Sequence, residues 1–176
     1  MPVLPITKES HRALRNKTKD VPLGEISSPK IQGLILNMKE TLKSTKDGVG
    51  LAAPQIGEAL RLFIVSEEAE KIDRAGLEAR EKRTDWKYHV FINPVLKNMS
   101  RRKIEDSEGC LSVPGKYGVL KRHEKITVEA RDEHGKKFTR GASKFFARVL
   151  QHELDHLEGI LFIDLADRVL DVESRD

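Results

Sequence analysis

The sequence predicts an α+β fold: one domain over residues 1–176, with mainly antiparallel strands packed around a central helix that lies late in the chain. Three observations carry the prediction. Apolar residues recur with helical spacing near residues 28–42 and 143–157, while the segments between hold short runs rich in β-branched and aromatic residues. One pair of those runs flanks Asp132-Glu133-His134-Gly135, a tight-turn composition that implies antiparallel pairing. No Pro/Gly/Ser-rich linker divides the 176 residues, a length that supports one well-formed core.

Taken in order, the first clear element is a helix with Ser28 as cap and Pro29 as first helical residue, placing Ile31, Leu34, Ile35, Met38 and Leu42 on one face. A glycine-punctuated loop follows from Gly48 to Gly57. Leu62-Phe63-Ile64-Val65 and His89-Val90-Phe91-Ile92 read as strands. Between them, Glu67 to Lys87 is rich in charge and poor in apolar residues, so a solvated, partly helical insertion is expected. Lys125 to Ala130 and Lys137 to Arg140 form the arms of the hairpin. A last helix starts at Ser143 as cap, runs through Phe145, Phe146, Val149, Leu150, Leu154 and Leu157, and stops at Gly159. The tail over residues 165–176 is short, polar and slightly acidic.

Composition narrows the function classes. The 32 basic and 28 acidic residues give a net charge of +4 spread along the chain, a mild tilt that does not predict direct nucleic-acid readout. No apolar run approaches the roughly 20 residues of a membrane span, and Met1-Pro2-Val3-Leu4-Pro5 lacks the layout of a secretory signal. A lone cysteine, Cys110, precludes an intrachain disulfide and suits a reducing compartment. A soluble cytoplasmic protein is expected, with an organelle as the alternative if a leader has been removed.

The chemistry sits in His152-Glu153-Leu154-Asp155-His156. On a helix, residues four apart lie one above the other, so His152 and His156 can reach one metal ion while Glu153 stands beside it as a proton acceptor. A catalytic site usually needs a third protein ligand. A His six residues beyond His156 would fall at Phe162, which cannot ligate. Glu173 lies in the polar tail. Cys110, within Glu108-Gly109-Cys110-Leu111-Ser112-Val113-Pro114-Gly115, is the stronger candidate, and its turn-rich flanks argue against a core position. A thiolate with two imidazoles suits Fe(II), Ni(II), Co(II) or Zn(II) and not Mg or Ca. The loop from Gly48 to Gly57 lacks the Lys and Ser/Thr of a phosphate cradle, and Gln55 is its one side chain able to donate hydrogen bonds.

Together GVGLAAPQIG at Gly48 to Gly57, EGCLSVPG at Glu108 to Gly115 and QHELDHLEGILF at Gln151 to Phe162 resemble the motifs of peptide deformylases, in that family's order. The resemblance covers the chain from about Ser28 to Asp164. It implies removal of the N-formyl group from the N-terminal methionine of new polypeptides, with release of formate. It further implies metal ligation by Cys110, His152 and His156, with Fe(II) the expected ion and Zn(II), Ni(II) or Co(II) able to replace it. Glu153 is then the general acid/base, Gln55 and the Leu111 N–H support the oxyanion, and Gly50 binds the substrate backbone. Glu108 and Arg122 are expected as a buried supporting pair. Val49, Phe145 and Val149 are expected walls for the methionine side chain, from loop and helical spacing. The implied partners are N-formylmethionyl nascent peptides and, transiently, the ribosome. Three departures stand out: no proline-containing approach around His11 to Arg15, a long charged insertion, and no basic C-terminal helix of the kind by which some relatives dock on the ribosome.

Overall fold

Two antiparallel sheets and two long helices arise from this pattern. The computed structural model describes residues 2–75 and 87–171. Its helices are α1 (Arg12–Arg15), α2 (Pro29–Ser44), α3 (Glu68–Ala75), α4 (Lys144–Leu157) and α5 (Phe162–Leu165). Its strands are β1 (Gly50–Ala52), β2 (Leu62–Ser66), β3 (Tyr88–Met99), β4 (Lys103–Cys110), β5 (Val113–His123), β6 (Lys125–Arg131), β7 (Lys137–Ser143) and β8 (Arg168–Asp171). One sheet has the order β1-β2-β3-β6-β7 and the other β4-β5-β8, antiparallel throughout.

The larger sheet is covered on both faces. Strand β2 divides its side chains accordingly: Leu62 and Ile64 join Ile31, Ile35, Met38 and Leu42 of α2, while Phe63 and Val65 join Phe146, Ala147, Leu150 and Leu154 of α4. Alternation sends successive residues to opposite faces, so a strand buried on both reads as a continuous apolar run. Phe63 stacks on Phe91 of β3 with ring centroids 4.7 Å apart. Helix α2 starts as expected, with the Ser28 hydroxyl accepting from the Ile31 N–H.

Helix α4 ends in a Schellman motif: Gly159 adopts φ +76°, Gly159 N–H donates to His156 O, and Ile160 N–H to Asp155 O. A Cβ at Gly159 would also lie 2.9 Å from the backbone of Arg15, so this glycine lets α1 pack against the helix end. At the other end, Ser143 occupies the cap position but its side chain makes no capping bond.

Other expectations are corrected. The charged stretch is not simply solvated, because α3 buries Ala69 and Ile72 and Glu70 pairs with Arg140 and His89. Residues 76–86 of that stretch lie outside the described residues. Part of the tail is ordered as β8, whose Leu170 pairs with Tyr117 of β5. Glu173 lies outside the described residues. The segment from Gly48 to Gly57 is a short strand followed by a 3-10 turn over Ala53–Ile56, buried and not an open loop. Without a proline-containing approach, the N-terminal segment still docks: Thr7 N–H donates to Gln55 O at 2.8 Å, and Leu4 N–H to the Thr41 hydroxyl at 2.8 Å. Among the described residues, no helix is long and apolar enough to cross a membrane.

Candidate active site

Helix α4 holds His152 and His156 one turn apart, their rings edge-on with centroids 4.8 Å apart. Cys110 arrives from the other sheet as the last residue of β4. There the register with β5 shifts between Gly109 and Cys110, a bulge of the kind that re-aims a side chain. Its Sγ lies 3.4 Å from His156 Nε2, and the donor atoms of all three residues fall within 4.8 Å of one another. Metal–ligand bonds of about 2.0–2.3 Å span nearly such separations, and a thiolate with two imidazoles is a set that divalent transition ions favour. The three residues therefore fit a metal ion. Gly109 has no left-handed φ; a Cβ on it would meet the Tyr117 ring at 3.0 Å. Phe162, where a third His would otherwise stand, stacks its ring 6.4 Å from that of His152.

A buried ionic network orients the cluster. Glu108 Oε2 accepts from His152 Nδ1 at 3.0 Å, which fixes the ring and turns Nε2 away from that carboxylate; burial alone would lower the His152 pKa, but hydrogen bonds to Cys110 and Glu108 raise it well above the ordinary value. Arg122 donates to both Glu108 oxygens, at 2.8 and 2.9 Å, and Arg148 Nη1 donates to Oε1 at 2.8 Å. Arg122 also reaches Asp155 on α4. Burial alone would raise the Glu108 pKa, but hydrogen bonds from Arg122 and His152 hold its carboxyl well below the usual range.

Glu153 is the opposite case. Its side chain is 3% exposed and Oε2 has no hydrogen-bond partner. Burial pushes its pKa up to about 7, against the opposing charges of His152 and His156. A carboxyl balanced near neutrality can both take and return a proton. Burial also lowers His156, to about 4, which favours the neutral imidazole that ligates metals. Gly50 is required here, since a Cβ on it would fall 2.4 Å from Glu153 Oε1. Gln55 is fixed by Ala52 N–H donating to its Oε1 at 2.9 Å, so its NH2 faces Cys110 Sγ at 3.5 Å and the Ser112 hydroxyl at 3.4 Å.

Gln55, Cys110, His152 and Glu153 open onto one cleft of about 400 Å³, whose walls include Val49, Gly50, Leu111, Phe145 and Val149. All the residues singled out in the sequence, apart from Glu173, thus lie at or beside one site. Sequence reasoning missed Arg148, Ser112 and Asp155. Arg148 did carry a signal, as a charge four residues before His152 and so on the same face of the helix.

Fold and site together define an α+β protein whose HExxH helix meets a cysteine from a second sheet. The chain belongs to the polypeptide deformylase family, whose model matches residues 3–171. It is 40% identical over 153 residues to "Peptide deformylase 1A, chloroplastic/mitochondrial" of Arabidopsis thaliana, covering 86% of this chain and 56% of that one. A Dictyoglomus turgidum peptide deformylase is 40% identical over 164 residues, 93% of each chain. The chain spans 56% and 58% of the Arabidopsis and Solanum lycopersicum relatives, less than two thirds of their length. Among solved structures, a class I type b peptide deformylase from Acinetobacter baumannii with Met-Ala-Ser bound superposes with a TM-score of 0.80 at 32% identity, over 93% of this chain and 98% of that one. A peptide deformylase from Legionella pneumophila gives 0.77 at 35% identity, over 94% of this chain and 87% of that one.

Proposed function

We propose that the chain hydrolyses the N-formyl group of N-terminal formylmethionine in new polypeptides, releasing formate. The observation that carries this reading is Glu153: a buried carboxyl with a free oxygen, one residue from His152, in the cleft shared with Cys110 and Gln55. Cys110, His152 and His156 are assigned as ligands of one divalent ion, Fe(II) by family resemblance, with Zn(II), Ni(II) or Co(II) as replacements. When bound, the ion supplies Lewis-acid activation of a water and of the formyl carbonyl. Glu153 accepts the water's proton as attack on the formyl carbon begins, then delivers it to the departing amine. The Gln55 NH2 and the Leu111 N–H donate to the carbonyl oxygen as it gains charge. Gly50 backbone groups hold the peptide, and Val49, Phe145 and Val149 wall the methionine side chain.

Because the A. baumannii relative binds Met-Ala-Ser, the sequence of a deformylated peptide, formyl-Met-Ala-Ser is the natural probe. Formate release by the Fe(II)-loaded protein, with the unmodified tripeptide left intact, is the expected result; cleavage of unformylated peptides instead would make the protein a peptidase. Gln55→Leu is expected to lower turnover by roughly 10²–10³-fold with metal content unchanged, as for loss of one oxyanion donor. Nascent chains are the population that carries formylmethionine. Transient ribosome contact, in the cytoplasm or an organelle that synthesises protein, belongs to the same reading.

A further inference from the structure

The segment before α1 is tied down at two points. Leu4 N–H donates to the Thr41 hydroxyl on α2, and Thr7 meets the 3-10 turn that carries Gln55. Thr7 N–H donates to Gln55 O at 2.8 Å, and the Thr7 hydroxyl lies 3.2 Å from Gln55 O and 3.2 Å from Pro54 O, one proton shared between two acceptors. Those two carbonyls belong to the peptide units on either side of the Gln55 Cα. Each unit is planar, so a partner that grips both fixes the two backbone torsions between them, and with these the direction of the Gln55 side chain. Thr7 does not itself line the cleft.

The cleft side holds Gln55 more loosely. Its Nε2 stands 3.4 Å from the Ser112 hydroxyl, beyond the usual range of about 2.7–3.2 Å. Its other neighbour there, Cys110 Sγ at 3.5 Å, is a weak acceptor. Ala52 N–H donates to Oε1 at 2.9 Å, but that bond lies inside the same segment and moves with the turn. The turn is only four residues long, Ala53–Ile56, and 3-10 hydrogen bonds have poorer geometry than α-helical ones. Gly57 N–H donates to Pro54 O at 3.1 Å and Glu58 N–H to Ala53 O at 3.0 Å, which leaves Gln55 O to Thr7. Anchoring the N-terminal segment would not require the Thr7 hydroxyl, because the Thr7 N–H already bonds the same carbonyl. What the hydroxyl adds is the grip on Pro54 O, and so on the second peptide unit.

We propose that Thr7 is a positioning residue for the hydrolysis: it clasps the two peptide units that flank Gln55 and thereby holds the Gln55 NH2 where the oxyanion forms. The inference rests on the deformylase reading and on the role given to Gln55 in it. An oxyanion donor contributes most when its position is set before the charge develops. Thr7 supplies that setting from outside the cleft, through the backbone and without touching the substrate.

The test compares the metal-loaded full chain with three variants. Thr7→Val keeps the shape without the hydroxyl, Thr7→Ser keeps the hydroxyl, and Thr41→Val releases the other anchor of the same segment. Formate release from formyl-Met-Ala-Ser gives kcat and KM, and NMR relaxation of the Gln55 side-chain amide nitrogen in the Zn(II) form gives its order parameter. Thr7→Val should lower kcat about fivefold, the worth of one hydrogen bond, with KM and metal content unchanged because the oxyanion exists only beyond the bound state. The Gln55 order parameter should fall with it. Thr7→Ser and Thr41→Val should keep the original kcat and order parameter. In a Gln55→Leu background Thr7→Val should have no further effect on kcat, because the group it positions is gone. The same loss in that background would overturn the proposal, as would an equal loss in Thr41→Val, which would make Thr7 an anchor of the segment and no more. So would an unchanged Gln55 order parameter in Thr7→Val. Absence of formate with the original chain would defeat the deformylase reading instead, and the order parameters would then decide alone whether Thr7 holds Gln55.

Discussion

Helix α4 is buried on two sides by different physics. Towards the five-stranded sheet it presents Phe146, Ala147, Leu150, Leu154 and Leu157, packed among Phe63, Val65 and Phe91. Towards the β4–β5 hairpin it presents Arg148, Gln151, His152 and Asp155, each with a polar partner. Arg148 and His152 meet Glu108, Asp155 meets Arg122, and Gln151 both accepts from His123 N–H and donates to His123 O. The apolar side fixes where the helix lies and tolerates small adjustments, because dispersion and burial have little direction. The polar side fixes how each ring and carboxylate is turned, because a buried hydrogen bond left unmade costs more than one made contributes. A site that needs three donor atoms around one point requires both.

The largest test of this division is Glu153→Ala. Its carboxyl belongs to neither packing system, so activity should collapse while metal content stays near one ion per chain, by formate assay beside metal analysis. A metal-free mutant would show instead that Glu153 helps to hold the ion. Next in size is Glu108→Gln, which leaves Arg122 and Arg148 buried without their shared anion. A loss of about 3–5 kcal/mol is expected in chemical denaturation of the metal-free protein. Metal affinity should weaken roughly 10–100-fold because His152 loses the acceptor that orients it. Unaltered metal affinity would mean that the ring is held by packing alone, against Phe162 for instance.

The division also explains what was legible in the sequence. The apolar stripe of α4 and the continuous apolar run of β2 are patterns that a sequence displays directly, and the helix, strands and β6–β7 hairpin were readable from such patterns. The polar side was not. Arg148, Gln151, His152 and Asp155 recur at helical spacing, which in a sequence is indistinguishable from the solvated face of an amphipathic helix. Only the buried partners on β4 and β5 separate the two cases. Those strands were themselves hard to see, since Lys103–Cys110 reads as charged turn material. Strand β8 went unseen for the same reason: Arg168–Asp171 is polar at both ends and wholly exposed, held by backbone pairing to β5. The Cys-His-His cluster, by contrast, was visible because the four-residue spacing of His152 and His156 pairs them and the motif around Cys110 resembles that of a known family.

Smaller in effect is Leu150→Ala, on the apolar side and 0% exposed. The cost should be about 2–4 kcal/mol in the same denaturation experiment, from lost burial and the cavity left behind. If the two sides are independent, metal affinity and the rate of formate release at saturating metal should hardly move. A fall in metal affinity comparable to that of Glu108→Gln would break the comparison, by showing that the sheet-facing side also sets the rings.

The smallest expected effect isolates burial from charge. Glu158, immediately after α4, accepts from Arg61 at 2.6 Å and pairs with Lys17 at 3.2 Å, a two-cation arrangement on one carboxylate like that of Glu108. The difference is water: the Glu158 side chain is 35% exposed and that of Glu108 is 5% exposed. Solvent screens exposed pairs and continues to hydrate each partner when the other is removed. Glu158→Gln should therefore cost under about 1 kcal/mol, a loss that shrinks further as salt is raised. Glu108→Gln should keep most of its cost in the same salt series, because its partners are shielded from the ions. Equal losses for the two variants, or equal sensitivity to salt, would mean that the polar side of α4 owes its strength to charge count and not to its enclosure.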